Sequence, residues 1–270
     1  MLYRKKIYLL IFFVALFFLF FVQTYKHIIA GSYDKRITVF AAASMTEPFM
    51  ETGKLFEQKN PGVRVVFNFA GTQKLLAQLK EGARGDIFVA AGLEEINECV
   101  KNSLIVPGTQ KIFAGNHLII VFPRDNTGKI TDISDLTGKG LKIVMADTSV
   151  PGGRYTMKSL ELMEKYYGKG FKNKVLKNVV SREENIKIVM TKILLGEGDA
   201  GFVYVSDVDL KGKKTGIIKI PDKCNVSVYY YAVSLKNTKH MKIADKFVEF
   251  LLSEESQTIL KNYNFIPLNK

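Results

Sequence analysis

From Lys35 onward the chain alternates short apolar runs with segments of helical periodicity, and this alternation constrains the fold more than any other feature. Short apolar runs bounded by turn residues read as buried strands, while apolar residues recurring every three or four positions read as amphipathic helices. Ile37–Ala42, Val63–Phe69 and Asp86–Ala90 read as strands, with helices over Thr46–Lys59, Thr72–Glu81 and Leu93–Lys101 between and after them. Asn60-Pro61-Gly62 closes the first of these helices, as turn residues that cannot continue one. Strands follow at His117–Phe122, Ile143–Ala146, Gly201–Val205, Ile217–Pro221 and Val226–Leu235. Helical patterns occupy Tyr155–Tyr167, Glu184–Leu195, Met241–Leu252 and Glu254–Tyr263. Strands and helices interleaved in this way belong to an α/β architecture.

The first 30 residues do not share this pattern. Arg4, Lys5 and Lys6 precede an apolar run from Ile7 to Val22, broken only by Tyr8. A positive end followed by an apolar stretch is the arrangement of an export signal or a signal anchor, with the positive end left in the cytoplasm. The run is long for a signal peptide and slightly short for a comfortable membrane span. No clean small-x-small site precedes Ala30-Gly31, because Ile28 intervenes, so both cleavage and retention as an anchor stay open. No cysteine follows the run closely, which excludes a lipoprotein anchor. In either case the body faces outward.

The net charge of +13 contains four basic residues from this segment, leaving 35 basic against 26 acidic residues in the body. Those lysines are scattered and interleaved with acids, so they read as a solvated surface and not as a nucleic-acid footprint. A positive field still favours capture of a small anion. Cys99 and Cys224 are too few to define a disulfide framework. His27, His117 and His240 lack ligand spacing, and no phosphate-loop, dinucleotide or nucleophile-elbow motif occurs. Neither a metal centre nor a nucleophile–base pair is expected, which argues against an enzyme. His117, inside an apolar strand, reads as a core or hinge histidine.

Several strand-to-helix junctions carry small residues and hydroxyls: Ala42-Ala43-Ser44, Phe69-Ala70-Gly71-Thr72 and Val150-Pro151-Gly152-Gly153. Such junctions leave the first backbone N–H groups of a helix uncovered, at the positive end of its dipole. Taken singly, each is an ordinary cap or turn. Together, on the carboxyl edge of a sheet, they can converge on one crevice.

The segments ITVFAAASM (Ile37–Met45), FNFAGTQKLLAQLKEGARGDIFVAA (Phe67–Ala91), VPGGRY (Val150–Tyr155) and AGFVYVSD (Ala200–Asp207) resemble the molybdate-binding proteins of ABC transporters, in family order and spacing. The resemblance implies a two-lobed periplasmic-binding-protein fold of the second type, with the ligand in the interlobe cleft. It places residues 35–115 and 230–270 in lobe 1 and residues 116–229 in lobe 2, with His117–Phe122 and Val226–Leu235 as crossover strands.

Position by position, the resemblance assigns oxyanion contacts to Ser44, Thr72, Gly152, Ile186 and Tyr204. Ser44, Thr72 and Tyr204 would offer hydroxyls; Gly152 and Ile186 would offer backbone N–H groups. Thr72 departs from the family's usual serine, and the match around Ile186 is more distant. The family does not use an arginine as ligand, so Arg154 is expected at the rim or closing the lobes. Glu183 and Glu184 read as helix N-terminal charges on a solvated face.

A shell made of neutral donors suits an anion without protons. Hydrogen phosphate would leave its proton unpaired, at a cost of about 1–3 kcal/mol. Molybdate, tungstate and sulfate avoid that cost. The expectation is therefore an extracytoplasmic protein, monomeric and without a cofactor, that delivers molybdate or tungstate to an ABC transporter permease. A sulfate- or carboxylate-binding protein and a membrane-anchored sensory domain remain as alternatives.

Overall fold

The computed structural model describes residue 17 and residues 35–209 and 214–268. The leader read over residues 1–30 lies outside the described residues, Phe17 apart. Among the described residues, no helix is long and apolar enough to cross a membrane.

Two sheets organise the chain. The first runs β11-β4-β10-β3-β1-β2, from β1 (Lys35–Ala42), β2 (Val63–Ala70), β3 (Ile87–Ala90), β4 (Lys111–Asn116), β10 (Val228–Ser234) and β11 (Ile266–Pro267). The second runs β7-β6-β8-β5-β9, from β5 (Leu118–Pro123), β6 (Ile143–Ala146), β7 (Val179–Glu183), β8 (Ala200–Tyr204) and β9 (Thr215–Lys219). β1 pairs in parallel with β2 and β3, while β10 lies antiparallel between β3 and β4. This is the two-lobed α/β fold expected from the sequence.

Strands covered on both faces must be apolar throughout. β3, β6 and β8 are buried at every position. On one face of the first sheet, α2 (Thr72–Lys80) and α3 (Leu93–Lys101) enclose Phe40, Leu75, Leu79, Phe88 and Ile96. On the other face, α1 (Thr46–Lys59), α7 (Met241–Phe250) and α8 (Glu254–Asn262) pack Phe49, Phe56 and Phe247 edge-on. α4 (Pro151–Tyr167), α5 (Phe171–Lys177) and α6 (Ile186–Leu194) belong with the second sheet.

Besides the two-residue β11 and the short 3-10 turns, three described elements escaped the sequence pattern. β4 begins with an exposed lysine and includes a glycine, α5 spans only seven residues, and β7 is an edge strand of alternating exposure. Each is too short or too polar to produce a strong period.

The chain passes between the sheets twice. The first crossing is at His117, between β4 and β5, and the second lies over residues 220–227, between β9 and β10. The expected crossover Val226–Leu235 corresponds to β10, which pairs wholly within the first sheet, so the crossing precedes it. Asn225 laces the two passages together. Its carboxamide accepts from the Leu118 N–H at 3.1 Å and donates to the Leu118 carbonyl at 2.8 Å, imitating a backbone pair. Cys99 and Cys224 are buried free thiols.

Candidate functional site

Four helix beginnings meet where the two sheets face each other. β1 runs through a 3-10 turn, Ala43–Met45, into α1, and Ser44 sits buried in that turn. β2 ends at Ala70, Gly71 caps α2, and Thr72 is the first helical residue, its Oγ1 accepting from the Ala91 N–H at 3.4 Å. From the second sheet, Val150 caps α4, with Pro151 in its first turn followed by Gly152. Asn185 caps α6 through a bond from the Ile188 N–H, and Ile186 opens that helix. Tyr204 closes β8.

The structure places all five of the expected residues, Ser44, Thr72, Gly152, Ile186 and Tyr204, on one small cavity of about 30 Å³. That is two to three times the roughly 10–15 Å³ needed for one water, so in this closed arrangement the space suits an ion of a few heavy atoms.

The chemistry of the lining is that of hydrogen-bond donors. The first N–H groups of a helix have no partner within it and carry the positive end of the dipole. None of α2, α4 and α6 has an acidic residue in its first turn to offset that charge. Tyr204 is 2 % exposed, and its Oη is buried with no hydrogen-bond partner among the described residues. Burial, with Tyr230 and Tyr155 nearby, raises its pKa well above the ordinary phenol value, so it stays a protonated donor. Leaving such a hydroxyl unpaired costs about 1–3 kcal/mol, which an anion seated in the cavity would remove. Ser44 Oγ lies 2.8 Å from the Tyr230 hydroxyl.

Gly152 is required sterically: a Cβ there would stand 2.3 Å from Ile186 Cγ1. Gly71 faces the opposite lobe so closely that a Cβ would lie 2.6 Å from the Glu184 carbonyl oxygen.

Contacts across the cleft hold it closed. Arg154 of α4 reaches α3, with Nε 2.8 Å from Glu94 and its guanidinium also on buried Glu95. Lys187 pairs with Glu47, and Lys74 lies 3.7 Å from Glu184. Arg154 thus bridges the two sides of the cleft and does not line the cavity. Glu184 is exposed, as expected, but Glu183 is not. Glu183 ends β7 and is buried against Lys192 at 2.7 Å and the Ser181 hydroxyl, which compensate its charge.

Gln73 is a lining residue that sequence reasoning missed. Its Nε2 donates to the Glu184 carbonyl across the cleft at 3.0 Å, while its Oε1 has no partner. Its position directly after Thr72 was the available signal.

A larger cavity, about 540 Å³, opens at the opposite edge of the first sheet beside Arg36, Arg84, Asp86 and Lys239. Asp86 is satisfied there by the Thr38 N–H and the Thr238 hydroxyl. Among the described residues only one helix beginning borders it, that of α7 at His240, and it lies away from the carboxyl edge where α/β sheets bind ligands.

The profile of a family described as bacterial extracellular solute-binding protein matches residues 37–266. A molybdate-binding protein ModA of Mycobacterium tuberculosis is 34% identical over 231 residues, covering 86% of this chain and 84% of its own. A solved structure assigned as the substrate-binding domain of a molybdenum ABC transporter from Clostridium difficile is 26% identical, with a TM-score of 0.66, covering 87% of this chain and all of its own. The sulfate-binding protein SubI of M. tuberculosis superposes with a TM-score of 0.79 at 17% identity, over 87% of this chain and 88% of its own, a likeness of fold alone.

Proposed function

The chain belongs to the bacterial extracellular solute-binding proteins, and from that premise we propose that its cleft captures molybdate or tungstate through neutral donors and hands it to an ABC importer. Membership in this family puts the folded body outside the cytoplasm. Residues 1–30 would direct export or hold the body at the membrane, and the transporter's permease would be the partner that receives the anion. Hinge closure around a ligand between two lobes is a standard means of signalling occupancy.

The observation that carries the proposal is the buried Tyr204 hydroxyl, unpartnered on a cavity ringed by helix beginnings. Charge-assisted bonds from such donors are strong in a site closed to water. Among the described residues no basic side chain lines the cavity, so neutral groups would balance a dianion by convergence of dipoles. Ser44, Thr72 and Tyr204 would contribute hydroxyls, and Gly152 and Ile186 backbone N–H groups. Hydrogen phosphate is disfavoured because a donor shell opposes its proton. Among the described residues, Gln73 Oε1 is the one buried carboxamide or carboxylate oxygen on the lining without a partner.

Calorimetric titration with molybdate, tungstate, sulfate and phosphate tests the reading. The first two are expected to bind most tightly. Sulfate binding as tightly as molybdate would reject the substrate assignment in favour of a sulfate-binding protein.

A further inference from the structure

A hydroxyl serves an anion only when its proton points at it, and the surroundings of Ser44 fix where that proton goes. Ser44 Oγ and Tyr230 Oη are 2.8 Å apart, on two buried residues, and one of them donates to the other. The neighbours of Tyr230 decide which. Asn116 is 1 % exposed, and its Oδ1 accepts from the His117 N–H at 2.9 Å. That bond turns Nδ2 the other way, where it donates to Ser206 Oγ at 2.8 Å and stands beside the Tyr230 phenol as a group that can donate but not accept. A carboxamide nitrogen cannot accept a hydrogen bond. The Tyr230 proton therefore goes to Ser44, and the Ser44 proton is left to point into the cavity it lines. Burial raises the pKa of Tyr230 above the ordinary phenol value, with the Asp207 charge adding to the effect, so the phenol keeps its proton.

We propose that Tyr230, backed by Asn116, is a positioning residue for anion selectivity: it locks Ser44 as a donor, so the site favours an unprotonated oxygen and opposes one that carries a proton. The inference rests on the proposed reading of the cleft and deepens it. Tyr230 does not line the cavity and acts through Ser44.

The test is calorimetry on the full chain with molybdate and with hydrogen phosphate, comparing wild type, Tyr230→Phe, Ser44→Ala and the double variant. Tyr230→Phe is expected to weaken molybdate about tenfold, the scale of one hydrogen bond near a charge. Hydrogen phosphate should bind as before or more tightly, so the ratio between the anions narrows. On the Ser44→Ala background, Tyr230→Phe should add no further loss, because neighbours acting in one chain are not additive. Asn116→Asp replaces the donor with an acceptor, reverses the relay and should narrow the ratio in the same way, which keeps the test open should Tyr230→Phe fail to fold. Equal losses for both anions would mean that Tyr230 only packs, and full additivity with Ser44→Ala would mean that it does not act through Ser44; either overturns the relay. A wild-type protein that binds neither molybdate nor tungstate defeats the reading of the cleft itself, and the relay with it.

Discussion

Replacing Tyr204 with phenylalanine separates ligand contact from packing, because the two make opposite forecasts. The phenol ring is held within the core, 6.3 Å from the Tyr230 ring in an edge contact, and phenylalanine preserves that ring. The hydroxyl makes no hydrogen bond to the described residues that could be lost. The melting temperature without anion should therefore not fall, and should rise by up to several degrees as the unpaired buried hydroxyl and its cost of about 1–3 kcal/mol are removed. Binding should suffer, because a hydrogen bond to a charged group contributes about 1.5–3 kcal/mol, or roughly 10- to 150-fold in Kd. At an anion concentration 100 times the wild-type Kd, ligand stabilises the native state by about 2.7 kcal/mol. A variant weakened by about 30-fold keeps only about 0.9 kcal/mol of that, so roughly two-thirds of the ligand-induced thermal shift disappears. Thermal unfolding with and without molybdate, followed by calorimetry, reads both quantities. Molybdate affinity within twofold of wild type, or a large loss of stability without ligand, would refute the assignment of Tyr204 as a ligand.

Gly152→Ala drives a methyl to 2.3 Å from Ile186 Cγ1, so overpacking of about 1–3 kcal/mol should displace a residue of the site and weaken the anion at least tenfold by calorimetry. Arg154→Ala leaves Glu95, whose side chain is 5 % exposed, without its partner across the cleft. Closure should become harder and anion affinity fall about tenfold without loss of any ligand contact. In small-angle scattering, ligand-induced compaction should then require more anion, and unchanged compaction would remove the latch role. Asp207 ends the turn after Tyr204, and burial of its carboxyl raises its pKa from 3.8 to about 7, with Lys187 opposing the shift. The folded state thus binds the proton more tightly than the unfolded chain, and the resulting stability is present at acid pH and lost as pH rises towards 7. Asp207→Asn should melt higher than wild type above pH 7 and alike near pH 4; a constant difference across that range would show that the carboxyl does not titrate there.

Much of the scaffold was legible because local physics decided it. Ile143–Ala146 and Ala200–Tyr204 are continuous apolar runs that no exposed element tolerates, and both are buried strands. Thr46–Lys59 and Leu93–Lys101 have the bounds that their periodicity sets. Gly71 and Gly152 mark helix beginnings where backbone or side chains of other segments come close. Glu183 shows the opposite case. Its charge suggested solvent, yet it is buried because Lys192, one helix away, compensates it.

What the sequence determined by itself was the set of elements and the residue types at their junctions, since periodicity and capping depend on neighbours along the chain. Only the tertiary structure decided that four of those junctions converge, that Arg154 meets Glu94 and Glu95 across the cleft, and that Ser44 faces a phenol 186 positions away. Such contacts arise from the packing of two sheets on a shared hinge, and the direction of a hydroxyl proton depends on every partner in the chain of bonds behind it. No local pattern encodes that direction, because the groups that fix it become neighbours only after the chain has folded.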